Sequence, residues 1–226
     1  MLGYGPIRES KFGLADGVAF AAMNRHPLRC RCGRLQGSVA PARSTQRVIC
    51  YCRDCRAFAR HLGGDGVLDA QGGTEIVASL PSKLRFDAGS ETLACLSLSP
   101  RGLLRWVASC CGTPIGNTPR NPKVAYVGLV HSCLEQGAPP LQQSFGPLRM
   151  AVNTGGALGA VHKGSALATA GSLFGLGTTL LGARLGGGWR DNPFFDAGTA
   201  TPVRAVRVLT LAERELAYAA AERATG

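Results

Sequence analysis

Three cysteines within six residues form the part of this sequence best suited to chemistry. Cys50, Cys52 and Cys55 follow an alternating stretch, so a strand ending in a tight turn would aim all three thiols at one point. Zinc suits such a set because it is a borderline-soft ion that binds thiolates in tetrahedral geometry. Three protein ligands leave a fourth position open, as in catalytic zinc sites. The alternative is a closed site, with its fourth ligand drawn from Cys95, Cys133 and His61.

Two further pieces of sequence predict a second metal site. Cys30 and Cys32 flank a single residue and precede a glycine, which is the form of a knuckle that needs a partner pair from elsewhere. The adjacent Cys110 and Cys111 are the pair that we expect. An iron–sulfur cluster uses similar ligands, but its cysteines are usually spaced more widely along the sequence, so zinc is the preferred metal. The sequence therefore predicts one or two Zn²⁺ ions.

Three other residues have weaker claims on the chemistry. His61 could act as a proton shuttle near the metal, although a lone histidine is more often exposed or structural. Cys95 lies in an apolar strand and is interpreted as a small core residue. Cys133 has no spaced partner and receives no role.

Positive charge is concentrated on the segment that carries the first five cysteines. The chain has a formal net charge of +11, and residues 25–60 hold nine arginines against one acid, Asp54. Such a field favours an anionic partner: a small acidic thiol, a phosphate or nucleic acid. Arg53 and Arg56 are the first candidates to bind the carboxylates of a charged thiol, and with Arg47 and Arg60 they would offset the charge of a three-thiolate zinc. The alternative reading is a set of solvated surface arginines.

The elements that position these residues are predicted to be short strands. The chain is 45% hydrophobic and 17% charged, enough for a core, and its 31 glycines and 13 prolines indicate many turns. No convincing helix separates the strand candidates, so a small, mainly β domain is predicted. Its predicted strands are Leu28–Leu35, Gln46–Cys52, Glu75–Val77, Leu84–Phe86, Leu93–Leu98, Leu103–Val107 and Ala125–Val130.

The two ends of the chain differ from this middle part. Residues 1–25 lack periodicity and are expected to form a flexible arm, with the zinc-binding domain over 26–133. Charged residues interrupt any signal-peptide pattern, which favours a reducing, cytoplasmic location where clustered cysteines bind metals.

Residues 134–226 are predicted to be a partly helical C-terminal extension. The uncharged stretch Gly164–Ala183 is long enough for a membrane span, but its glycines and hydroxyl residues favour a buried or surface helix. A strand is predicted over Pro202–Leu209. Thr210 and Glu213 form a capping box, which predicts a terminal helix over Leu211–Ala224.

The cysteine motifs resemble those of the glutathione-dependent formaldehyde-activating enzyme (Gfa)/centromere protein V family. The resemblance rests on CxCG at Cys30, CxCxxC at Cys50 and the segment Cys111–Ile115, and it covers about residues 26–133. It implies an Mss4-like β-tent of short antiparallel strands around zinc. It further implies that Cys30 and Cys32 hold a structural zinc, and that the CxCxxC triple holds a second zinc with an open position.

One departure from the family pattern concerns the late cysteine pair. The first cysteine of the family's late CxxC would fall at Ala108, whereas this chain has Cys110 beside Cys111. Either Cys110 supplies the fourth ligand through a shifted turn, or the structural zinc is bound differently or lost. The later stretch Gly188–Asp196 resembles an uncharacterised Gfa-like subfamily with its own C-terminal extension.

The leading functional hypothesis is a zinc enzyme of carbon–sulfur lyase or thiol-adduct type that acts on a glutathione-like acidic thiol. The alternatives are a non-catalytic zinc module that binds nucleic acid through its basic face, and a metal-stapled protein-interaction domain. Against nucleic acid, aromatic residues make up only 6% of the chain and no nucleic-acid motif is present.

Overall fold

The structure, a computed structural model, describes residues 25–42, 44–64, 66–162 and 165–222. Eleven strands and four α-helices lie within these residues. The strands are β1 His26–Arg29, β2 Gln36–Val39, β3 Gln46–Cys50, β4 Thr74–Ser79, β5 Leu84–Ala88, β6 Leu93–Ser97, β7 Leu104–Ala108, β8 Thr113–Thr118, β9 Val127–Val130, β10 Leu148–Val152 and β11 Val206–Val208. The helices are α1 Arg53–His61, α2 Leu141–Phe145, α3 Ala166–Leu185 and α4 Leu211–Ala221.

The strands form two sheets, so the predicted mainly β fold with a partly helical C-terminal portion is confirmed. The smaller sheet has the order β1-β2-β5, and the larger has the order β10-β3-β4-β9-β8-β7-β6-β11. Neighbours pair antiparallel except at the two ends of the larger sheet, where β10 runs parallel to β3 and β11 parallel to β6. The strand predicted over Leu28–Leu35 is wrong, because the chain turns at Gly33 (φ +75°) between β1 and β2.

One face of the larger sheet carries the main hydrophobic core. Alternate residues of its central strands, such as Trp106 and Leu129, pack with residues of the smaller sheet, such as Leu28 and Val39, and all four are fully buried. The indole N–H of Trp106 donates to Thr118 Oγ1 at 3.0 Å, so the core leaves this polar group satisfied. Since the side chains alternate, the intervening residues of the same strands point to the opposite face.

The opposite face is covered by α1 and α4. Phe58 and Ala57 of α1 pack with Ala217 and Ala221 of α4, and all four are buried. Beside them, Val48, Ile76, Ala78 and Met150 from three strands form a separate apolar cluster. The two faces of one sheet therefore present two different environments.

Helix α1 corrects the prediction that no helix lies among the strands. It begins directly after Cys52, whose thiol accepts a hydrogen bond from the Cys55 N–H at 3.3 Å and so caps the free end of the helix. The predicted strand Gln46–Cys52 accordingly ends at Cys50. A nine-residue helix with a cysteine cap carries little of the usual signal for a helix start.

The region 134–226 contributes to the larger sheet as well as to the helices. Strands β10 and β11 form its two outer edges. The strand predicted over Pro202–Leu209 is shorter, at Val206–Val208. The predicted terminal helix is confirmed, although it ends at Ala221 and not at the predicted Ala224. Its capping box is also confirmed, since Thr210 Oγ1 accepts from the Glu213 N–H and the Glu213 carboxylate accepts from the Thr210 N–H.

Helix α3 is the surface helix that the uncharged stretch predicts. It packs one side against β10 and the loop around Trp189, and the Gln46 amide donates to its Ser172 carbonyl at 2.9 Å. Across the described part of the chain, no helix has the combination of length and apolar character that a bilayer span requires. The predicted N-terminal arm, residues 1–25, lies outside the described residues except for Arg25.

Candidate metal centres

The first candidate centre is a four-cysteine cluster on the core face of the larger sheet. Its ligand atoms all lie within 4.8 Å of one another and could hold a metal ion, and its members are Cys30, Cys32, Cys110 and Cys111. The Sγ–Sγ separations are 3.5 Å from Cys30 to Cys32, 3.8 Å from Cys30 to Cys110 and 3.4 Å from Cys32 to Cys110. Cys30 is buried and Cys32 exposed, so the cluster lies at the edge of the core.

A tight turn after β1 presents the first two thiols. The Gly33 N–H donates to the Cys30 carbonyl at 2.9 Å, and the Leu35 N–H donates to Cys30 Sγ at 3.3 Å. Gly33 has a φ of +75°, which a residue with a side chain rarely adopts. This arrangement of a glycine turn and an N–H···S hydrogen bond is the knuckle that the spacing predicts.

A second turn between β7 and β8 brings Cys110 to the cluster. The N–H groups of Cys111 and Gly112 both donate to the Ala108 carbonyl, and Gly112 has a φ of +70°. Neighbouring residues on a straight strand point to opposite faces, and the turn removes that restriction. Of the two alternatives for the missing cysteine at Ala108, the structure matches the shifted turn, with the Cys110 and Cys111 sulfurs 3.9 Å apart.

Local hydrogen bonds favour the ionised form of part of this cluster. Burial opposes ionisation of Cys111, but hydrogen bonds from Thr113 and from the Cys32 backbone outweigh it and lower the pKa of Cys111 to about 6. Thr113 Oγ1 accepts from the Arg31 N–H, which leaves its hydroxyl proton available for Cys111 Sγ at 3.1 Å. The pKa of Cys32 is also lowered, first by the Arg34 N–H. Thiolates are the form that binds metals.

The second candidate centre is a three-cysteine cluster on the opposite face, made of Cys50, Cys52 and Cys55. Their sulfurs lie within 4.8 Å of one another and could hold a metal ion. Cys50 ends β3, Cys52 caps α1 and Cys55 lies in its first turn, so the strand-to-helix junction gathers them. Among the described residues no fourth cysteine, histidine or carboxylate joins this group.

Residues distant in sequence complete the surroundings of the three-cysteine cluster. The buried Arg105 guanidinium, held by Asn117 Oδ1 at 3.2 Å, lies 3.9 Å from Cys55 Sγ. The Asn153 amide donates to Cys50 Sγ at 3.3 Å. Tyr126 packs against the same cysteines, and burial together with their negative charge raises its pKa. Sequence reasoning missed all four, because each lies in a strand or loop without a local motif.

The charges of the three thiols are strongly linked. Hydrogen bonds from Cys52 and Cys55 lower the pKa of Cys50, whereas hydrogen bonds with Cys50 and Cys52 raise the pKa of Cys55. These directions favour the thiolate form at Cys50 before Cys52 or Cys55. The positive charge of Arg105 favours further ionisation of Cys55.

The arginines predicted to bind a ligand have other partners. Arg56 is buried, and its guanidinium donates to the Gly156 carbonyl at 2.6 Å and to the Ala221 carbonyl. Arg56 thus joins α1 to the C-terminal region, and its binding of a thiol ligand's carboxylate stays a prediction. Arg53 is half exposed, forms an ion pair with Glu222 and stacks on the Tyr218 ring. A ligand role for Arg53 stays a prediction.

The remaining sequence candidates belong to neither cluster. Cys95 is buried in the main core, as interpreted from its strand, and burial raises its pKa to about 11. Cys133 is fully buried in the same core, with its thiol 3.1 Å from the Val130 carbonyl. His61 ends α1 six residues after Cys55, about 9 Å along the helix axis. None of the three therefore completes the three-cysteine cluster.

The fold and the two clusters define the class: a mostly β protein with two groups of cysteines, one on each face of its larger sheet, that could each hold a metal ion. Within that class, the chain belongs to DUF6151, a family of unknown function, whose family model matches residues 23–203. The match spans all seven clustered cysteines.

Two further comparisons add little information about this protein. No curated protein matches the sequence. A crystal structure of a Rhodobacter sphaeroides protein from Northeast Structural Genomics is similar to this chain at 23% identity, over 54% of this chain and 96% of that one, with a TM-score of 0.36.

Proposed function

We propose that this protein is a zinc-dependent, Gfa-like enzyme of carbon–sulfur lyase or thiol-adduct type. The observation that carries the proposal is the three-cysteine cluster, which lacks a fourth protein ligand among the described residues. A zinc held by three thiolates has one position left for an exogenous ligand. The four-cysteine cluster has no such position, and its role is structural.

The sulfur separations support zinc as the metal of the four-cysteine cluster. Zinc–thiolate bonds of about 2.3 Å in a tetrahedron place the sulfurs about 3.8 Å apart. The four sulfur–sulfur separations given above for this cluster range from 3.4 to 3.9 Å. Cysteines clustered without any hard oxygen ligand favour zinc over magnesium or calcium.

The proposed ligand is a small acidic thiol of the glutathione type. A zinc in the three-cysteine cluster would lower the pKa of such a thiol and hold the thiolate for reaction. The thiol loses its proton, its sulfur forms a bond to the carbonyl carbon of an aldehyde, and the carbonyl oxygen takes up a proton. The reverse sequence breaks the carbon–sulfur bond and is the lyase direction.

The protein's own residues would tune the charge of this centre. Three thiolates and one Zn²⁺ carry a net charge of −1, and the buried Arg105 beside Cys55 offsets it. Arg47, a sequence candidate for this task, forms an ion pair with Glu75 instead. Asn153 donates to Cys50 and so fixes the orientation of that sulfur from the loop after β10.

The resemblance to the Gfa/centromere protein V family supports the same division of roles. In that family CxC and a late CxxC hold a structural zinc, and CxCxxC holds the open one. Cys110 takes the place of the absent cysteine at Ala108 in this proposal. The Mss4-like β-tent is likewise proposed here, for the antiparallel strands around the two clusters.

Metal analysis combined with a cobalt spectrum tests the proposal. We expect about two zinc ions per chain, and a Co²⁺-substituted protein whose absorption bands shift when glutathione is added at millimolar concentration. Cys55→Ser is the matched control, since it should retain one metal and lose the thiol-dependent shift. An unchanged spectrum, with all three cysteines bound to metal, would overturn the enzyme function.

The second candidate function, a non-catalytic zinc module on a basic face, rests on the exposed arginines around the first knuckle. Arg29, Arg31 and Arg34 are exposed there. Other arginines of the same segment are used internally: Arg25 donates to the Ser38 and Lys83 carbonyls, and Arg56 to two further carbonyls. This internal use weakens the basic-face hypothesis. Salt-sensitive binding to a polyanion, with no response of the cobalt spectrum to thiols, would favour it.

A further inference from the structure

Helix α3 has an apolar row that no described residue covers. The row recurs at alternating spacings of four and three residues, and we call it the α3 seam: Leu167, Gly171, Phe174, Thr178, Leu181 and Leu185. Its large members are 84% exposed at Leu167, 75% at Phe174, 55% at Leu181 and 78% at Leu185. A monomeric protein rarely leaves such a row of leucine and phenylalanine in water.

The seam lies on the side of α3 that faces away from the protein. Residues of intermediate exposure, Ser172, Leu176, Thr179 and Ala183, mark the side that packs against the body. At 100° per residue the two sets lie on opposite sides of the helix. The seam therefore does not stabilise the fold of a single chain through any of the described residues.

The spacing of the seam is that of a coiled-coil interface. Apolar residues that alternate by four and three keep one stripe of a helix in contact with another helix. We propose that α3 is a homodimerisation helix, and that its seam packs antiparallel against the α3 seam of a second copy of this chain.

Side-chain size supports the antiparallel direction. A two-fold axis at the level of Leu176 would place Phe174 opposite Thr178 of the second copy, and Leu181 opposite Gly171. Each large side chain then meets a small one, and the two remaining leucines meet at the ends. A parallel pair would instead place glycine on glycine and phenylalanine on phenylalanine, which leaves voids beside clashes.

The area and the charge of the seam suit a second copy. The four large side chains offer roughly 100–150 Å² each, so two seams bury on the order of 1,000 Å², where specific interfaces begin. Arg184 is the one charged residue of α3, and an antiparallel pair places the two copies of Arg184 at opposite ends, so two copies of a chain with a net charge of +11 meet along the seam with little repulsion. A helix that lies on a lipid surface would instead carry basic residues beside its apolar face.

The oligomeric state of the full-length, metal-loaded protein tests this proposal. In sedimentation equilibrium we expect a concentration-dependent dimer for the wild type. Phe174→Glu places a charge against Thr178 of the second copy twice per dimer, and should weaken association on the order of 100-fold or more. Leu173→Glu is the matched control: Leu173 is 51% exposed and neighbours Phe174, but it points away from the seam, so dimerisation should persist.

A charge pair tests the direction of packing. Leu185→Glu alone should weaken the dimer, and Leu167→Lys with Leu185→Glu should restore it, because opposite charges meet at both ends only in an antiparallel pair. The two positions are about 27 Å apart within one helix, so they cannot compensate inside a single chain.

Four outcomes would overturn the proposal. The first is a wild type that stays monomeric at all concentrations, and the second is a dimer that persists in Phe174→Glu. The third is a double variant no tighter than Leu185→Glu, which would exclude the antiparallel direction. The fourth is a monomer that binds phosphatidylcholine/phosphatidylserine vesicles through Phe174, which would assign the seam to a lipid surface.

Discussion

Arg105 places a buried positive charge 3.9 Å from the sulfur of Cys55. A guanidinium in this position stabilises thiolates over thiols, and a bound metal keeps its ligands in the thiolate form. Outer residues of this kind typically change metal affinity by about 10–100-fold when they are replaced.

We therefore expect Arg105→Gln to weaken metal binding at the three-cysteine cluster by about 10–100-fold. The four-cysteine cluster should keep its affinity, because Arg105 does not contact it. Competition with a chromophoric chelator would resolve the two affinities. Arg101→Gln, an exposed arginine in the turn before the same strand, is the matched control and should have no effect.

The two clusters should differ when a ligand is removed. Cys52→Ser or Cys55→Ser should lose one metal ion and leave a folded chain. Cys30→Ser or Cys32→Ser should unfold the protein, because a structural zinc contributes about 10 kcal/mol or more to small metal-dependent folds. Thermal unfolding followed by circular dichroism, with metal counting, would test this. Equal stability of the two classes of variant would contradict the division of roles.

At the residue scale, the sequence predicts which residues form a site only when those residues lie close together along the chain. Cys50, Cys52 and Cys55 could be grouped because one strand-to-helix junction carries all three. Arg105 and Asn153 could not, since register between strands and loop packing bring them to the cluster from about 50 and 100 positions away. A buried arginine in a strand pattern was the one available signal, because a charge there needs a partner.

At the element scale, Arg56, a sequence candidate for ligand binding, connects elements that are distant in sequence. Its guanidinium joins α1 to the Gly156 loop and to the end of α4. We expect Arg56→Met to lower the free energy of unfolding by about 2–4 kcal/mol, because two buried carbonyls lose their donors. Metal affinity of the folded variant should not change.

Arg53→Met is the control for this experiment. Arg53 pairs with Glu222 at the surface, where both side chains are more than half exposed, and such pairs contribute about 0–1 kcal/mol. Urea unfolding of the two variants should separate them clearly. A similar small loss in both would contradict the structural role of Arg56.

His26 links β1 to the segment that leads into α2. It is buried, with Nε2 2.7 Å from the Leu134 carbonyl and Nδ1 2.7 Å from Ser144 Oγ. Burial lowers its pKa below 6.5, so the folded state holds it neutral where the unfolded chain takes up a proton. Its contribution to stability is thus complete above pH 6.5 and is lost as pH falls through the lower, folded-state pKa.

We expect the wild type to lose up to about 1.4 kcal/mol of stability per pH unit from this group below pH 6.5. His26→Gln should be less stable at neutral pH and should have a shallower slope. Acid also protonates thiolates, so the difference between the two proteins is the quantity to measure, by urea unfolding between pH 5 and 7. His162→Gln, at an exposed position, should follow the wild type.

At the element scale, sequence periodicity and capping motifs predict some strands and helices and miss others. Strands near Gln46, Leu93 and Leu103 and the capped terminal helix followed from alternation and from a capping box. Helix α1 did not, because a cysteine is its cap. The parallel pairing of β10 and β11 has no local signal at all, since it joins segments about 100 residues apart.

At the scale of the whole molecule, the larger sheet depends on residues beyond 133 for both of its edges. Without β10 and β11, strands β3 and β6 would present unpaired backbone groups, and α1 would lose its contact with α4. We expect a chain that ends at Cys133 to aggregate rather than fold, as measured by light scattering and circular dichroism. Deletion of residues 1–22 is the control and should leave a folded protein. A stable 23–133 fragment would show instead that this part of the chain folds independently.

The placement of both edge strands late in the chain has a consequence for biosynthesis. The last cysteine of the two clusters is Cys111, whereas the final edge strand ends at Val208, 97 residues later. At about 5–20 residues per second a ribosome needs on the order of 5–20 s for that interval. The nascent chain thus has all seven candidate metal ligands well before it can close its sheet. A metal ion bound by the nascent chain could keep the cysteines of each cluster together during this interval. In cells that lack the metal, the unpaired strand edges would be exposed to the quality-control machinery.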